Sequence, residues 1–209
     1  HTRYWRDWSS DVCSSDLVFF LPDQHLGRNT AVLKLGLNLE DCVVWNPWKP
    51  RGGLSDDQIR SAKVILWRGH CSVHGRFSVE NIAEVRTRVP GINVLVHPEC
   101  QHDVVKSADV VGSTEMIIKT VAAAPAGSAW AVGTELNLVK RLAAMNPDKK
   151  VIFLDKTVCY CSTMNRIDLP HLVWAMETLA EGKIINQITV PPTTAHFARV
   201  ALERMLALP

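Results

Sequence analysis

The sequence predicts an α/β protein built on parallel sheets, and three observations lead there. Short apolar runs such as Val64-Ile65-Leu66-Trp67 alternate with longer stretches whose apolar residues recur at helical spacing. Polar residues suited to chemistry follow those runs closely, where the strands of a parallel sheet end and ligands bind. A phrase of strand, cysteine loop and helix occurs twice, with Cys71 and Cys161 in matching places 90 residues apart.

The elements follow in order. Val18 to Leu21 reads as a strand, Pro22-Asp23 as a turn, and about His25 to Leu35 as a helix. Trp45 to Lys63 contains Trp-Asn-Pro-Trp-Lys-Pro-Arg-Gly-Gly and reads as an irregular surface excursion. Val64 to Trp67 is a strand entering the Arg68-Gly-His-Cys71 turn, and Val79 to Val89 a helix with Ile82, Val85 and Val89 on one face. Val94 to Val96 and Asp109 to Val111 are strands, and a helix begins at Ser113 or Thr114 and stops before Pro125. Trp130 to Val132 is a strand, Glu135 to Met145 a helix, and Val151 to Leu154 the strand before the second cysteine loop. The helix from Leu169 is expected to bury Leu172, Val173, Met176 and Leu179.

A chain of 209 residues with 47% apolar content is able to bury one large or two small cores. A net charge of +2, with basic residues spread along the chain, argues against nucleic acid or an anionic membrane as partner. No apolar run approaches the length of a spanning helix. The six cysteines read as metal-binding or buried thiols in a reducing cytoplasm, since a chain this long and apolar has no need of disulfide staples. Residues 1–17 hold two tryptophans amid Ser and Asp without helical or strand period, and read as a non-native leader or disordered tail. His1 and Cys13 are therefore set aside.

The repeat carries more information than any single motif. Cys71-Ser-Val-His74-Gly-Arg76-Phe77 overlies Cys161-Ser-Thr-Met164-Asn-Arg166-Ile167, with Cys, Ser, Arg and the apolar positions coinciding. A lone buried cysteine is usually a small hydrophobe. Two at equivalent positions, each between a strand and a helix, point to a joint role and a shared centre. Cys159 lies too close to Cys161 for both thiolates to be assumed ligands of one metal, and Cys100 has no counterpart in the repeat.

His97-Pro98-Glu99-Cys100 follows a strand. His97 is suited to proton transfer near neutrality and Glu99 to orienting an imine or polarising a hydroxyl, although both also suit helix capping. Gly112-Ser113-Thr114-Glu115 and Gly133-Thr134-Glu135 are hydroxyl-bearing turns at helix starts, which fit either N-caps or small anion sites. His74 is a polar neighbour of Cys71. Zinc-knuckle, metalloprotease, ferredoxin, dinucleotide-fingerprint and P-loop patterns are absent from the sequence.

Six segments together resemble the quinolinate synthase family, the iron–sulfur enzymes of NAD biosynthesis. They are Phe19-Phe-Leu-Pro-Asp-Gln-His-Leu-Gly27, Trp67-Arg-Gly-His-Cys-Ser-Val-His74, His97-Pro-Glu-Cys100, Ala108-Asp-Val-Val-Gly-Ser-Thr114, Gly133-Thr-Glu135 and Cys161-Ser-Thr-Met-Asn-Arg-Ile167. They fall in order across residues 18–209. The resemblance implies a pseudo-threefold arrangement of three-layer α/β/α sub-domains, each giving one cysteine to a central [4Fe-4S] cluster. It assigns the ligand role to Cys71 and Cys161, prefers Cys161 to Cys159, and makes Cys100 a neighbour.

The implied reaction condenses iminoaspartate with dihydroxyacetone phosphate to quinolinate, releasing phosphate and water. The open iron of the cluster acts as Lewis acid, and functional coupling to L-aspartate oxidase is expected. By the same resemblance His74, His97 and Glu99 are catalytic, and Ser113, Thr114 and Thr134 hold the substrate's carboxylate or phosphate. The expected organisation is a partial second sub-domain with its linking helix at 18–91, the third at 92–161, and closing helices at 162–209. With the first sub-domain and its cysteine missing, the fragment itself is expected to be inactive. An iron–sulfur dehydratase of another substrate and a non-catalytic anion-binding α/β module are the alternative readings.

Overall fold

The computed structural model describes residues 17–157 and 161–207. The described chain divides into two compact units, one running to Cys161 and one from Ser162 onward. The expected leader at 1–17 falls, apart from Leu17, outside the described residues, as does Cys159.

The first unit contains two all-parallel sheets. β1 (Val18–Phe20), α1 (Gln24–Leu33), β2 (Cys42–Trp45), α2 (Asp56–Ser61) and β3 (Val64–Trp67) form the first, with strand order β1-β3-β2. α1 begins where it does because Asp23, in extended conformation, accepts the backbone N–H groups of His25 and Leu26 on Oδ1, each at 2.8 Å. Gly27 lets the helix lie close on the sheet, since a Cβ there would sit 2.6 Å from Leu66 and Phe20. Ala31, Val64 and Leu66 form the core, flanked by Val18, Phe20, Cys42 and Val44. The supposed excursion at 45–63 proves more ordered than expected: Trp45 ends an edge strand, and α2, capped by Ser55, returns the chain to β3.

The second sheet follows α3 (Val79–Arg88). It comprises β4 (Asn93–Val96), α4 (His102–Ser107), β5 (Val110–Val111), α5 (Thr114–Ala123), β6 (Ala129–Gly133), α6 (Leu136–Met145) and β7 (Lys150–Phe153), ordered β5-β4-β6-β7. Strand alternation sorts its core into two halves. Val94, Val96 and Ala131 pack with Ile82 and Val85 of α3 and Val104 and Val105 of α4. Leu95, Trp130 and Val132 pack with Ile117 and Val121 of α5 and Val139 and Leu142 of α6. The result is a three-layer α/β/α sandwich in which each fully buried Val, Leu or Ile contributes about 1.5–3 kcal/mol.

The second unit holds a 3₁₀ turn at Met164–Arg166, α7 (Leu169–Ala180) and α8 (Pro192–Leu206). The 90-residue repeat holds at backbone level. The 3₁₀ turn His74–Arg76 matches Met164–Arg166, and the cap Ser78 (φ −130°, ψ 165°) matches Asp168 (φ −126°, ψ 169°). The packing differs. Leu172, Val173, Met176 and Leu179, expected to be buried, are exposed. Periodicity shows which side of a helix is apolar; it says nothing of what covers that side. Among the described residues, no helix is long and apolar enough to cross a membrane.

Candidate active site

The chain leaves β4 for β5 on one side and returns to β6 on the other, so the carboxyl ends of β4 and β6 border a topological switch point. Val96 pairs with Gly133 across that boundary, and the His97 N–H donates to the Gly133 carbonyl at 3.1 Å. His97, Glu99 and Thr134 therefore emerge side by side. The loop after β3 brings Cys71 and His74 to the same place.

His74 is the hub. Its Nδ1–H donates to Glu99 Oε2 at 2.8 Å, and Thr134 Oγ1 lies 3.2 Å from its Nε2. Its ring stacks on that of His97 with centroids 4.5 Å apart. Cys71 Sγ, an imidazole nitrogen of His74 and a carboxylate oxygen of Glu99 lie within 4.8 Å of one another. His74 and Thr134 are buried, whereas Cys71, His97 and Glu99 are half-buried.

The electrostatics separate the roles of Glu99 and His97. The hydrogen bond from His74, joined by the neighbouring His97 and the Cys71 thiol, outweighs burial and holds the Glu99 carboxyl below its usual range. Burial, reinforced by His74 and opposed by Glu99, pushes His97 down to about 4. At neutral pH Glu99 is thus an ionised acceptor and His97 a neutral imidazole. His97 Nδ1 accepts the Glu99 N–H at 3.3 Å, which leaves its own proton on Nε2.

The remaining sequence candidates are placed less centrally. Ser113 caps α5 by accepting the Met116 N–H at 3.3 Å, and Thr114 is exposed in that helix's first turn. Both follow β5, at the same sheet edge as His97, since Val96 pairs with Val111. Cys161, half-buried, follows β7. The two cysteine loops are tied through Arg76, whose guanidinium donates to Asp155 at 3.1 Å and to Thr157 at 2.6 Å.

Two residues carry supporting roles at the site that the sequence motifs do not show. Asp23 accepts the Cys71 N–H on Oδ2 at 3.0 Å, and Asn29 holds the loop after β4 by donating to the Pro98 and Cys100 carbonyls at 2.8 and 2.9 Å. The available signals were an Asp directly before a helix and an Asn on its apolar side.

The sequence profile of the Quinolinate synthetase A protein family (NadA) matches residues 9–207. The chain belongs to the quinolinate synthetase A family. It is 67% identical over 192 residues to a quinolinate synthase of Nocardioides sp., covering 92% of this chain and 49% of that relative. Against the quinolinate synthase of Streptomyces coelicolor the identity is 68% over 194 residues, covering 92% and 49%. For the one from Geobacillus sp. it is 56% over 191 residues, covering 91% and 52%. The chain spans about half the length of the curated relatives it matches.

The family is known for a [4Fe-4S] cluster, and the thiols fit that donor chemistry in part. Cys100 is fully buried, its Sγ–H directed at the Gly133 carbonyl at 3.7 Å, and burial pushes its thiol far above the ordinary range. Cys42 packs in the core of the first sheet, and burial raises it too. Cys71 and Cys161 are the two described thiols that lie only half-buried on loops after strands, the setting a ligand requires.

Proposed function

We propose that this chain is a portion of a quinolinate synthase, which condenses iminoaspartate with dihydroxyacetone phosphate to quinolinate and releases phosphate and water. The observation that carries the reading is the meeting of Cys71, His74, His97, Glu99 and Thr134 at one switch point in a chain of this family. Cys71 and Cys161 would hold the cluster, with a third thiolate from outside the chain. When bound, a cluster with three protein ligands supplies an open iron that acts as a Lewis acid toward a hydroxyl or carboxylate.

The chain's own residues account for proton handling and substrate placement. Glu99, kept ionised by His74, accepts a proton from the substrate carbon or imine, and His74 steadies the resulting carboxyl through Nδ1. His97, neutral with its proton on Nε2, donates a hydrogen bond to a substrate oxygen. Thr134, with Ser113 and Thr114 at the start of α5, binds carboxylate or phosphate oxygens. The imine hydrolyses readily in water, which supports functional coupling to L-aspartate oxidase as its source. Thiol ligation favours the reducing cytoplasm as the setting.

The parent protein would contain three α/β sub-domains in pseudo-threefold arrangement, with 18–91 and 92–161 as a partial second and a third, and 162–209 as closing helices. The repeat supports this. Phe77 is fully buried against the following sheet, whereas Ile167, its equivalent, is 87% exposed, as a face awaiting a further sub-domain would be. Two thiolates are too few for a three-ligand cluster, so the isolated chain would be inactive.

The test is anaerobic reconstitution of the full-length enzyme and of this 209-residue chain, with iron and sulfide quantification and a quinolinate assay. Turnover is expected from the full-length enzyme alone. Robust synthesis by the chain would overturn its inactivity, and failure of labelled dihydroxyacetone phosphate to enter the product would favour a dehydratase of another substrate. Retained cluster absorbance in both Cys71→Ala and Cys161→Ala would remove the ligand assignment.

A further inference from the structure

α1 touches both loops that build the site, one at each of two anchors. At its start, Asp23 is buried and divides its carboxylate: Oδ1 accepts the His25 and Leu26 N–H groups, and Oδ2 accepts the Cys71 N–H at 3.0 Å, 48 residues along the chain. The contact is reinforced from both sides. The Gln24 N–H donates to the Gly69 carbonyl at 3.0 Å, and Gly69 lies so close to the Pro22 carbonyl that no Cβ fits between them.

Less than two turns on, Asn29 is 2% exposed on the side of α1 facing α4. Its amide donates to the Pro98 and Cys100 carbonyls at 2.8 and 2.9 Å, and its Oδ1 accepts the His102 Nδ1–H at 2.8 Å. A buried amide with all these partners satisfied fixes the loop it touches, because breaking any one bond leaves a buried polar group unpaired. Pro98 and Cys100 flank Glu99.

We propose that Asp23 and Asn29 are positioning residues: α1 is a rigid spacer that holds the Cys71 loop at one anchor and the His97–Cys100 loop at the other. Six residues of helix place the anchors about 9 Å apart along the axis. The spacer thereby sets the separation of the Cys71 thiol from Glu99, which the reaction geometry proposed above requires. The inference rests on that reading for its catalytic consequence and stands on loop rigidity without it.

The test uses the full-length enzyme with Asp23→Ser, Asp23→Asn, Asn29→Asp and, as control, Ser55→Ala, which removes a cap on α2 remote from the site. Serine keeps one cap oxygen for α1 but does not reach Cys71. Asparagine keeps the size and sets an amide donor against one of the donors Asp23 serves. Asn29→Asp keeps the acceptor for His102 and sets carboxylate oxygen against two carbonyls.

Hydrogen exchange of the cluster-free protein is expected to rise at residues 68–75 in both Asp23 variants and at 97–102 in Asn29→Asp, with melting close to wild type. Iodoacetamide labelling of Cys71 should quicken in the Asp23 variants alone. In the loaded enzyme kcat should fall about tenfold or more, with a smaller change in KM, as misplacement of reacting groups dictates. Ser55→Ala should alter exchange only at its own helix. Unchanged exchange and labelling in the Asp23 and Asn29 variants, or a uniform rise across the whole chain, would overturn the proposal. Wild-type enzyme without quinolinate turnover would instead overturn the functional reading, while exchange and labelling still decide the role of α1.

Discussion

The His74 and His97 rings lie stacked, 4.5 Å between centroids and 18° between planes, although they come from loops on different sheets. Burial of His97, reinforced by the charge of the neighbouring His74, is what keeps that imidazole neutral, and Glu99 only partly offsets it.

This neutrality gives stability a pH dependence with a definite sign. The unfolded chain protonates His97 near 6.5 and the folded chain only near 4, so between those values the unfolded state binds more protons. The contribution is complete above about pH 6.5 and is lost as pH falls toward about 4. Urea midpoints at about pH 7 and about pH 5 should therefore differ less in His97→Gln than in wild type. Equal differences would exclude His97 as a source of the acid sensitivity.

Among the cysteines, substitution should split function from packing. Cys100→Ala is expected to keep the cluster in the full-length enzyme and to cost about 1 kcal/mol of stability, the scale of one heavy atom removed from a packed core. Cys71→Ala should abolish iron–sulfur absorbance. Visible spectra and denaturant melts of the two variants make the comparison.

Phe77 and Ile167 occupy equivalent places in the repeat but differ in burial. Phe77→Ala, which removes a ring packed 5.5 Å from Phe153, should cost about 3–5 kcal/mol wherever it is measured. Ile167→Ala should change the isolated chain by less than about 0.5 kcal/mol, as an exposed position does. In the full-length enzyme the same substitution should destabilise several-fold more, because the proposed additional sub-domain covers that face. Equal effects in the two settings would count against the covering.

Arg76 binds the turn after Cys71 to the loop after β7. Burial alone would raise the Asp155 carboxyl, but the Thr157 N–H and hydroxyl together with Arg76 hold it below the usual range. Its contribution is present above the ordinary carboxylate range and is lost as pH falls through the lowered value. Arg76→Leu should cost about 1–3 kcal/mol near neutral pH, as loss of a half-buried charged hydrogen bond does, and should speed loss of the cluster on exposure to air. Iron release followed by chelator absorbance gives the second readout.

The elements legible in advance share a local cause. Val64 to Trp67 is a complete short apolar run, and α3, α5 and α7 each start after a residue, Ser78, Ser113 or Asp168, whose side chain accepts the N–H of the third residue of the helix. β2 escaped notice because four apolar residues before a Trp-Pro-rich stretch carry no period, and its pairing partner, β3, lies about 20 residues further on. α2 and α4 are six residues each, too short to show a helical face.

Of the site, the sequence by itself determined the residue types, their places after strands, and the duplication that marks Cys71 with Cys161. Those are properties of spacing along one chain. Tertiary structure alone decided that His74 meets Glu99 and Thr134, that Ser113 serves as a cap while Thr114 stays exposed, and that the face of α7 remains open. It also revealed Asp23 and Asn29 as the ties between the two loops. Each of these depends on which strand of a parallel sheet lies beside which, and the crossovers that settle strand order join residues tens of positions apart, beyond the reach of any local pattern.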